Sequence, residues 1–271
     1  MRSQKEQSIE SKLLEMEKSF NLSGMVIKGT KLLLEDNEIQ AAQEYANIVS
    51  IVRLGYNDHG PVHMRSVALN AIIMANLLRK AGIKTSLEKD ECGVFEDSLL
   101  AMIFGAMLHD LGMGMGRQDH ELHSTYLAFP LMDRILAQVF PENMQKRVIV
   151  RTMALECIAG HMGNRVIHSL EAGIVQVADG CDMTKGRARI SLALGQAPRA
   201  GHIHQFSANS IEEVKIQSGQ EKPIRIDVLM SSEVGLFQVE EVLLGKIAAS
   251  TAKPHIELYA QVLEKEVRRY L

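Results

Sequence analysis

The run from Leu99 to Asp110 constrains the fold of this chain more than any other stretch. Its apolar residues recur every three or four positions, as in a helix that buries one face, and it ends in His109 and Asp110. A carboxylate beside an imidazole on a buried face is costly unless a partner or a cation compensates it. A metal ion compensates both groups, because one coordination shell takes neutral imidazole nitrogen and anionic carboxylate oxygen. The run therefore predicts a buried helix that ends at a candidate metal site.

Further histidines and an aspartate stand where other helical apolar patterns begin or end. Each lies on or beside a face that is expected to be buried, so helices that pack together could bring these side chains into one pocket. One of the helices is expected to begin after Asn57 or Asp58 as its cap, with Pro61 in its first turn. The candidate metal ligands are His63, His109, Asp110, His120, His123, His161 and Asp179.

The ordered set His63, His109-Asp110, His120, His161 and Asp179 resembles the HD superfamily of metal-dependent phosphohydrolases. Val177-Ala178-Asp179 followed by Gly186-Arg187 is similar to the closing motif of that family. The resemblance covers roughly residues 40 to 190. It implies an all-helical bundle whose helices project these side chains into one pocket.

The resemblance also implies a reaction and a cofactor. The reaction is the hydrolysis of a phosphoester or phosphoanhydride in a small phosphorylated molecule, with nucleotides among the candidates. A metal-activated water would attack phosphorus. One divalent ion is implied, or two where the two extra histidines are present. Imidazole-rich sites suit Mn, Fe, Co, Ni or Zn, and Mg is also an option.

Several polar residues near the motif have alternative interpretations. His120 fits the family pattern, because Ser124 supplies the small residue four positions later. His123 could be a second ligand, a partner of a ligand or a proton carrier. His59 could approach the pocket one helical turn before His63, or it could lie outside the helix as a capping or rim residue. Asp182 is expected to be exposed or paired with an arginine.

The residues expected to take part in catalysis are Asp110, which would bridge two ions, and three nearby cations. Many members of the resembled family carry a lysine where this chain has Met113, so Arg117 is a candidate substitute. Lys185 and Arg187 lie just beyond Asp179, and such cations neutralise phosphate oxygens. The alternatives are a solvated loop arginine at Arg117 and a salt-bridged cluster at the other two positions.

The predicted fold class is mainly α, an HD-type helical bundle followed by a small C-terminal α+β module. Residues 1–30 are expected to form a helical arm, residues 31–200 the metal-binding bundle, and residues 205–271 the module. A helix is predicted from about Lys31 to Leu54. The glycines from Gly112 to Gly116 predict a compact turn rather than a phosphate loop, because a helix and not a strand precedes them. In the module, alternating residues predict a ββαβ order.

Composition limits the classes of function. The net charge of −3 and a pI near 6.4 argue against general binding to nucleic acid or to a membrane surface. Aromatic residues make up 4% of the chain and tryptophan is absent, which argues against a base-stacking platform. Three unclustered cysteines suit a reducing compartment, and the longest apolar run is too short to span a bilayer. We therefore expect a cytoplasmic protein that acts on a small molecule. We also expect a homodimer or other homo-oligomer, since the N-terminal arm could pack on a second subunit and the C-terminal module could serve dimerisation through a sheet edge or effector binding.

Two other functions remain open from the sequence. A di-iron centre on the resembled scaffold supports oxygen chemistry in some relatives, so a di-iron oxygenase is one alternative. A nucleotide-binding regulatory sensor with a metal site but little turnover is the other. Met113 and the additional C-terminal module favour the sensor. An absorption spectrum after aerobic iron loading would identify the oxygenase, and a sensor would bind nucleotides without releasing phosphate.

Overall fold

A computed structural model of the chain describes residues 2–19, 22, 24–185 and 203–271. This described part is mainly helical and ends in a small four-stranded sheet, as the sequence predicts. The helices are α1 (Gln4–Ser19), α2 (Gly24–Glu35), α3 (Asn37–Ile48), α4 (Pro61–Lys80), α5 (Ser86–Lys89), α6 (Phe95–Leu108), α7 (His120–Val139), α8 (Met144–Gly160), α9 (Leu170–Cys181), α10 (Ile203–Asn209) and α11 (Leu244–Ala249). The strands are β1 (Ile211–Ser218), β2 (Ile224–Met230), β3 (Ile256–Val262) and β4 (Arg268–Arg269).

Helix α6 is the central helix of the bundle. Every residue of it except Glu96 is buried, and it packs against α2, α4, α8 and α9. A helix that is apolar on all sides is stable only when other helices surround it. The sequence predicted one buried face for this helix, whereas the structure buries it on every side. Its C-terminal end brings His109 and Asp110 into the middle of the bundle.

Two helix boundaries differ from the prediction. The helix expected from Lys31 to Leu54 is two helices and a π-helical turn, because Asp36 ends α2 and caps α3 by accepting from two backbone N–H groups at 3.0 Å. The π-helical turn covers Val49–Arg53. Helix α4 begins at Pro61 as expected, but its N-terminal cap is Gly60 and not Asn57 or Asp58.

The N-terminal helix α1 packs on the bundle. Leu13 of α1 is fully buried, and Glu10 accepts a hydrogen bond from Arg65 Nε of α4 at 2.7 Å. Arg65 is itself 1% exposed, so this ion pair lies inside the protein. Helix α1, which the sequence predicts as an arm, therefore packs into the same hydrophobic core as the bundle helices.

The C-terminal unit, residues 211–271, has the predicted ββαβ order and one short additional strand. Strands β1 and β2 form an antiparallel hairpin, β2 and β3 are parallel, and β4 adds to β3. Parallel neighbours need a crossover connection. Here the crossover contains a π-helical turn (Gln238–Leu243) followed by α11.

The bundle and the sheet share one continuous apolar core, to which Ile226 and Leu243 of the C-terminal unit contribute together with Leu99 and Ala178 of the bundle. The crossover packs against α9. It therefore lies beside the part of the bundle to which α6 delivers His109 and Asp110. Of the helices described, not one has the length and apolar character that crossing a bilayer requires.

Candidate metal centre

Six of the seven predicted ligands lie together in the bundle, and all six are buried. Each is delivered by the end of a helix: His63 by the first turn of α4, His109 and Asp110 by the C-terminal end of α6, His120 by the start of α7, His161 by the residue after α8, and Asp179 by the last turn of α9. Because these helix ends meet at one level of the bundle, side chains far apart in sequence converge. We call this group the metal centre.

One half of the metal centre surrounds Oδ2 of Asp110. The Nε2 atoms of His63 and His109 lie 3.3 and 3.1 Å from this oxygen and 3.2 Å from each other. Asp179 completes this first half, with Oδ1 at 3.1 Å from His63 Nε2. Two imidazoles and two carboxylates therefore present donor atoms to one small volume.

The other half surrounds Oδ1 of Asp110. The Nε2 atoms of His120 and His161 lie 3.2 and 3.6 Å from this oxygen and 3.1 Å from each other. Asp110 therefore lies between two pairs of histidines and offers one oxygen to each pair. Whether Asp110 bridges two ions stays a prediction, for which this geometry leaves room.

Backbone contacts fix which ring nitrogen of these histidines carries the proton. The Nδ1 atoms of His109, His120 and His161 lie 2.7–2.9 Å from backbone carbonyl oxygens. A carbonyl only accepts, so we assign Nδ1–H as the donor, which leaves Nε2 with a lone pair. His63 is held differently, because its Nδ1 lies 2.7 Å from Asp182 Oδ2. In each case Nε2 is aimed at the centre.

The residues fit a divalent cation. With Nδ1 protonated, lone pairs of Nε2 atoms face one another and face Asp110, whose buried Oδ2 has no hydrogen-bond partner in the described part. A cation removes that repulsion. Ligand-to-metal distances of about 2.0–2.2 Å place neighbouring donors about 3–3.5 Å apart, close to the separations found. The donor set suits one ion in each half, with Asp110 shared.

The electrostatics keep the ligands in metal-binding protonation states. Burial lowers the pKa of His161 well below its usual range, and the neighbouring His109 adds to this shift. Burial alone would raise the pKa of Asp110, but the positive charge that His109 and His59 carry when protonated outweighs burial and holds that pKa well below its usual range. Neutral imidazole and ionised carboxylate are the forms that bind metals.

The short connection after Asp110 is the compact turn that the sequence predicts. A Cβ added to Gly112 would lie 2.1 Å from the carbonyl oxygen of His120, so only glycine permits this approach. The N–H of Gly112 donates to Ser124 Oγ at 2.8 Å. The turn thereby fixes the start of α7, and with it His120, against the end of α6.

Two predicted histidines stand outside the metal centre. The structure does not bring His123 into any of the ligand groups found among the described residues, and its side chain is half-buried elsewhere on α7. His59 lies before α4, with its ring centroid 5.9 Å from that of His63. Its Nδ1 contacts Ser50 Oγ and the Asn57 carbonyl, and the side chain lines the cavity. The rim interpretation of His59 agrees with this position.

The predicted cations have different surroundings. Arg117 lines the cavity above the metal centre, 5.8 Å from the ring of Tyr56, and no carboxylate of the described residues pairs with it. Lys185 is ion-paired with Glu212 of β1, which corresponds to the salt-bridged alternative. Arg187 lies outside the described residues. Of the two predicted cations that the structure describes, Arg117 lines the cavity and Lys185 does not.

Sequence reasoning missed two residues that contact the ligands. Asp182 was expected to be exposed or paired with an arginine; its side chain is 15% exposed, and its Oδ2 lies 2.7 Å from His63 Nδ1. The sequence offered one signal for this contact, which is the position of Asp182 three residues after Asp179. Lys246 of α11 donates to Asp179 Oδ2. Burial alone would raise the pKa of Asp179, but the ammonium group of Lys246 holds it well below its usual range.

A cavity of about 730 Å³ opens onto the metal centre. One wall belongs to the bundle and includes Tyr56, Asn57 and Arg117. The opposite wall belongs to the C-terminal crossover, through Gln238 and Lys246. A small molecule bound in this cavity would therefore contact both the bundle and the C-terminal unit.

Comparison with known proteins gives one curated relative, and no family model and no solved structure matches the chain. The relative is the uncharacterized protein MJ1020 of Methanocaldococcus jannaschii, which is 44% identical over 234 residues. The alignment covers 86% of this chain and 88% of the relative. Identity at this level over most of both chains shows common descent and a common fold. The chain therefore belongs to the family of the uncharacterized protein MJ1020.

Proposed function

We propose that this protein is an HD-type metal-dependent phosphohydrolase, which hydrolyses a phosphoester or phosphoanhydride of a small molecule such as a nucleotide. One observation carries the proposal. The two oxygens of Asp110 are each within 3.1–3.6 Å of a pair of histidine Nε2 atoms, an arrangement suited to two divalent cations that share one carboxylate.

Divalent cations held there would supply the acidity that activates a water and the positive charge that phosphoryl transfer requires. His63, His109, Asp110 and Asp179 would hold one ion, and His120, His161 and Asp110 the other. The backbone carbonyls behind three of these rings keep Nε2 unprotonated, so the ligands need no rearrangement before they bind.

Arg117 is the proposed contact for the phosphoryl group. Its guanidinium lines the cavity without a carboxylate partner in the described chain, so its charge is available to an anion. A guanidinium donates two parallel hydrogen bonds to phosphate oxygens and offsets the charge that develops on them. The cavity volume of about 730 Å³ falls in the range of about 300–1,000 Å³ that is typical of small-molecule sites.

The test uses the variant Asp110→Ala, with Asp90→Ala as its matched control because Asp90 is exposed and distant in sequence from the ligands. We expect Asp110→Ala to lose bound metal and to lose hydrolysis by more than about 10³-fold, as losses of an essential catalytic group do. Elemental analysis measures the metal, and phosphate release from a panel of nucleotides and phosphoesters with Mn²⁺ measures the activity. Full activity in metal-stripped Asp110→Ala protein would refute the proposal.

A second function is favoured by the shared cavity. Gln238 and Val242 of the C-terminal unit line the same cavity as the metal centre, as a ligand-sensing unit would. In this alternative the protein is a nucleotide-binding sensor with little turnover. The same panel separates the two proposals, since a sensor would bind a nucleotide and release no phosphate.

A further inference from the structure

The C-terminal crossover approaches the metal centre unusually closely at Gly180, the residue after Asp179. A Cβ added to Gly180 would lie 3.1 Å from Leu243 Cδ1 and 3.2 Å from Lys246 Cδ. The aliphatic stem of Lys246 therefore crosses α9 where that helix has no side chain. This route directs the ammonium group into the protein rather than toward solvent, and the side chain is only 12% exposed.

Lys246 Nζ contacts both halves of the metal centre. It donates to Asp179 Oδ2, while Oδ1 of the same carboxylate faces His63 Nε2 at 3.1 Å. It also donates to the carbonyl oxygen of His161 at 2.9 Å. That carbonyl follows the end of α8, where backbone oxygens lack partners within the helix. One ammonium group thus holds a ligand of the first half by its side chain and a ligand of the second half by its backbone.

We propose that Lys246 is a positioning residue of the metal centre, and that the C-terminal unit is for this reason a working part of the centre. Lys246 fixes the rotation of the Asp179 carboxylate so that Oδ1 remains aimed at the metal position. It also holds His161 at its backbone. The proposal rests on the metal centre of the proposed function but not on the reaction, because it concerns metal binding alone.

The direction in which metal affinity changes when Lys246 is replaced separates a positioning role from a purely electrostatic role. An ammonium group close to a divalent cation repels it, so if charge alone mattered, removal of Lys246 would tighten metal binding. If Lys246 positions Asp179 and His161, its removal leaves a buried carboxylate oxygen without a donor and a ligand free to rotate. Loss of such a supporting contact weakens metal binding by about 10–100-fold.

The experiment titrates Co²⁺ into chelator-treated full-length protein and follows heat and visible absorption. The variants are Lys246→Met, which keeps the stem but loses the charge, and Lys246→Arg, which keeps a cationic donor. Lys253→Met is the matched control, because Lys253 is an exposed lysine of the same unit. We expect about 10–100-fold weaker affinity and an altered absorption spectrum for Lys246→Met. Lys246→Arg should recover most of the affinity, and Lys253→Met should match the unaltered protein.

Equal or tighter Co²⁺ binding by Lys246→Met would overturn the proposal, and so would an equal loss in Lys253→Met. If Lys246→Met does not fold by circular dichroism, Lys246→Leu, which also lacks a donor, decides by the same criteria. Failure of the unaltered protein to bind Co²⁺ would instead refute the metal centre itself. If the protein binds metal but releases no phosphate, the proposal for Lys246 stands and the phosphohydrolase proposal is refuted.

Discussion

Two buried polar side chains, His63 and Arg65, lie two residues apart on α4 and are satisfied in opposite ways. Both are 1% exposed. The donors of Arg65 are matched by oxygens of the protein itself, with Glu10 at 2.7 Å, Gln40 at 2.8 Å and Gln43 at 3.0 Å. His63 instead aims Nε2 at another histidine nitrogen and at carboxylates. The first network closes within the chain, whereas the second gathers donor atoms that could hold a cation.

The comparison teaches how to distinguish a structural polar network from a binding site. In a structural network each buried donor meets an acceptor, so nothing further is needed. In the metal centre acceptors meet acceptors, and Asp110 Oδ2 has no hydrogen-bond partner in the described residues. A buried group in which hydrogen-bond acceptors outnumber the donors and face one another therefore indicates a site that could hold a cation.

The largest expected effect comes from breaking the closed network. Arg65→Ala removes the buried guanidinium that donates to Glu10, Gln40 and Gln43 and leaves Glu10 paired with the part-exposed Arg2, so the free energy of unfolding should fall by about 3–5 kcal/mol. Urea denaturation measures this change, and Lys80→Ala, an exposed position on the same helix, is the control with less than about 0.5 kcal/mol expected. A loss below about 1 kcal/mol in Arg65→Ala would mean that the network is not structural.

Glu17 is a third buried polar side chain, and a proton satisfies it. Glu17 of α1 is fully buried and accepts from Thr30 Oγ1 at 2.5 Å, and burial raises its pKa to about 7. The folded state then binds this proton more tightly than the unfolded state does. Its contribution to stability is therefore complete below about pH 4.5 and is lost as the pH rises to about 7.

Glu17→Gln should remove this dependence. We expect the variant to match the unaltered protein near pH 4.5 and to be more stable by about 3 kcal/mol at pH 8, where the buried charge is absent. Urea denaturation at both pH values measures the difference, with the exposed Glu15→Gln as control. No difference between the two pH values would show that Glu17 is not protonated in the folded protein.

The smallest expected effect concerns the partner behind His63. Asp182→Asn removes the charge that faces His63 Nδ1 at 2.7 Å but keeps an acceptor oxygen. We expect Co²⁺ affinity to fall about tenfold, or about 1.4 kcal/mol, because such partners orient a ligand and raise its basicity. Titration of chelator-treated protein measures the affinity, with Asp90→Asn as control. Unchanged affinity would assign Asp182 to the fold alone.

Local patterns were sufficient for much of the fold and of the candidate site. The helical periodicity predicted the buried α6, and alternation predicted the ββαβ unit. Six of seven predicted ligands converge, because each stands at the end of an apolar helix and such ends meet in a bundle. His123 is the exception. Three residues turn a helix by about 300°, so His123 projects about 60° away from His120 around α7.

The positions of the helices, the strands and the candidate ligands follow from the spacing of residues that are close together in the chain. The distant groups that complete the metal centre follow from the packing of the elements against one another. Lys246 is 67 positions from Asp179, and no periodicity connects them. Their contact depends on the close packing of α11 on Gly180. Side-chain spacing within an element is local, whereas pairing between elements is set by how they pack.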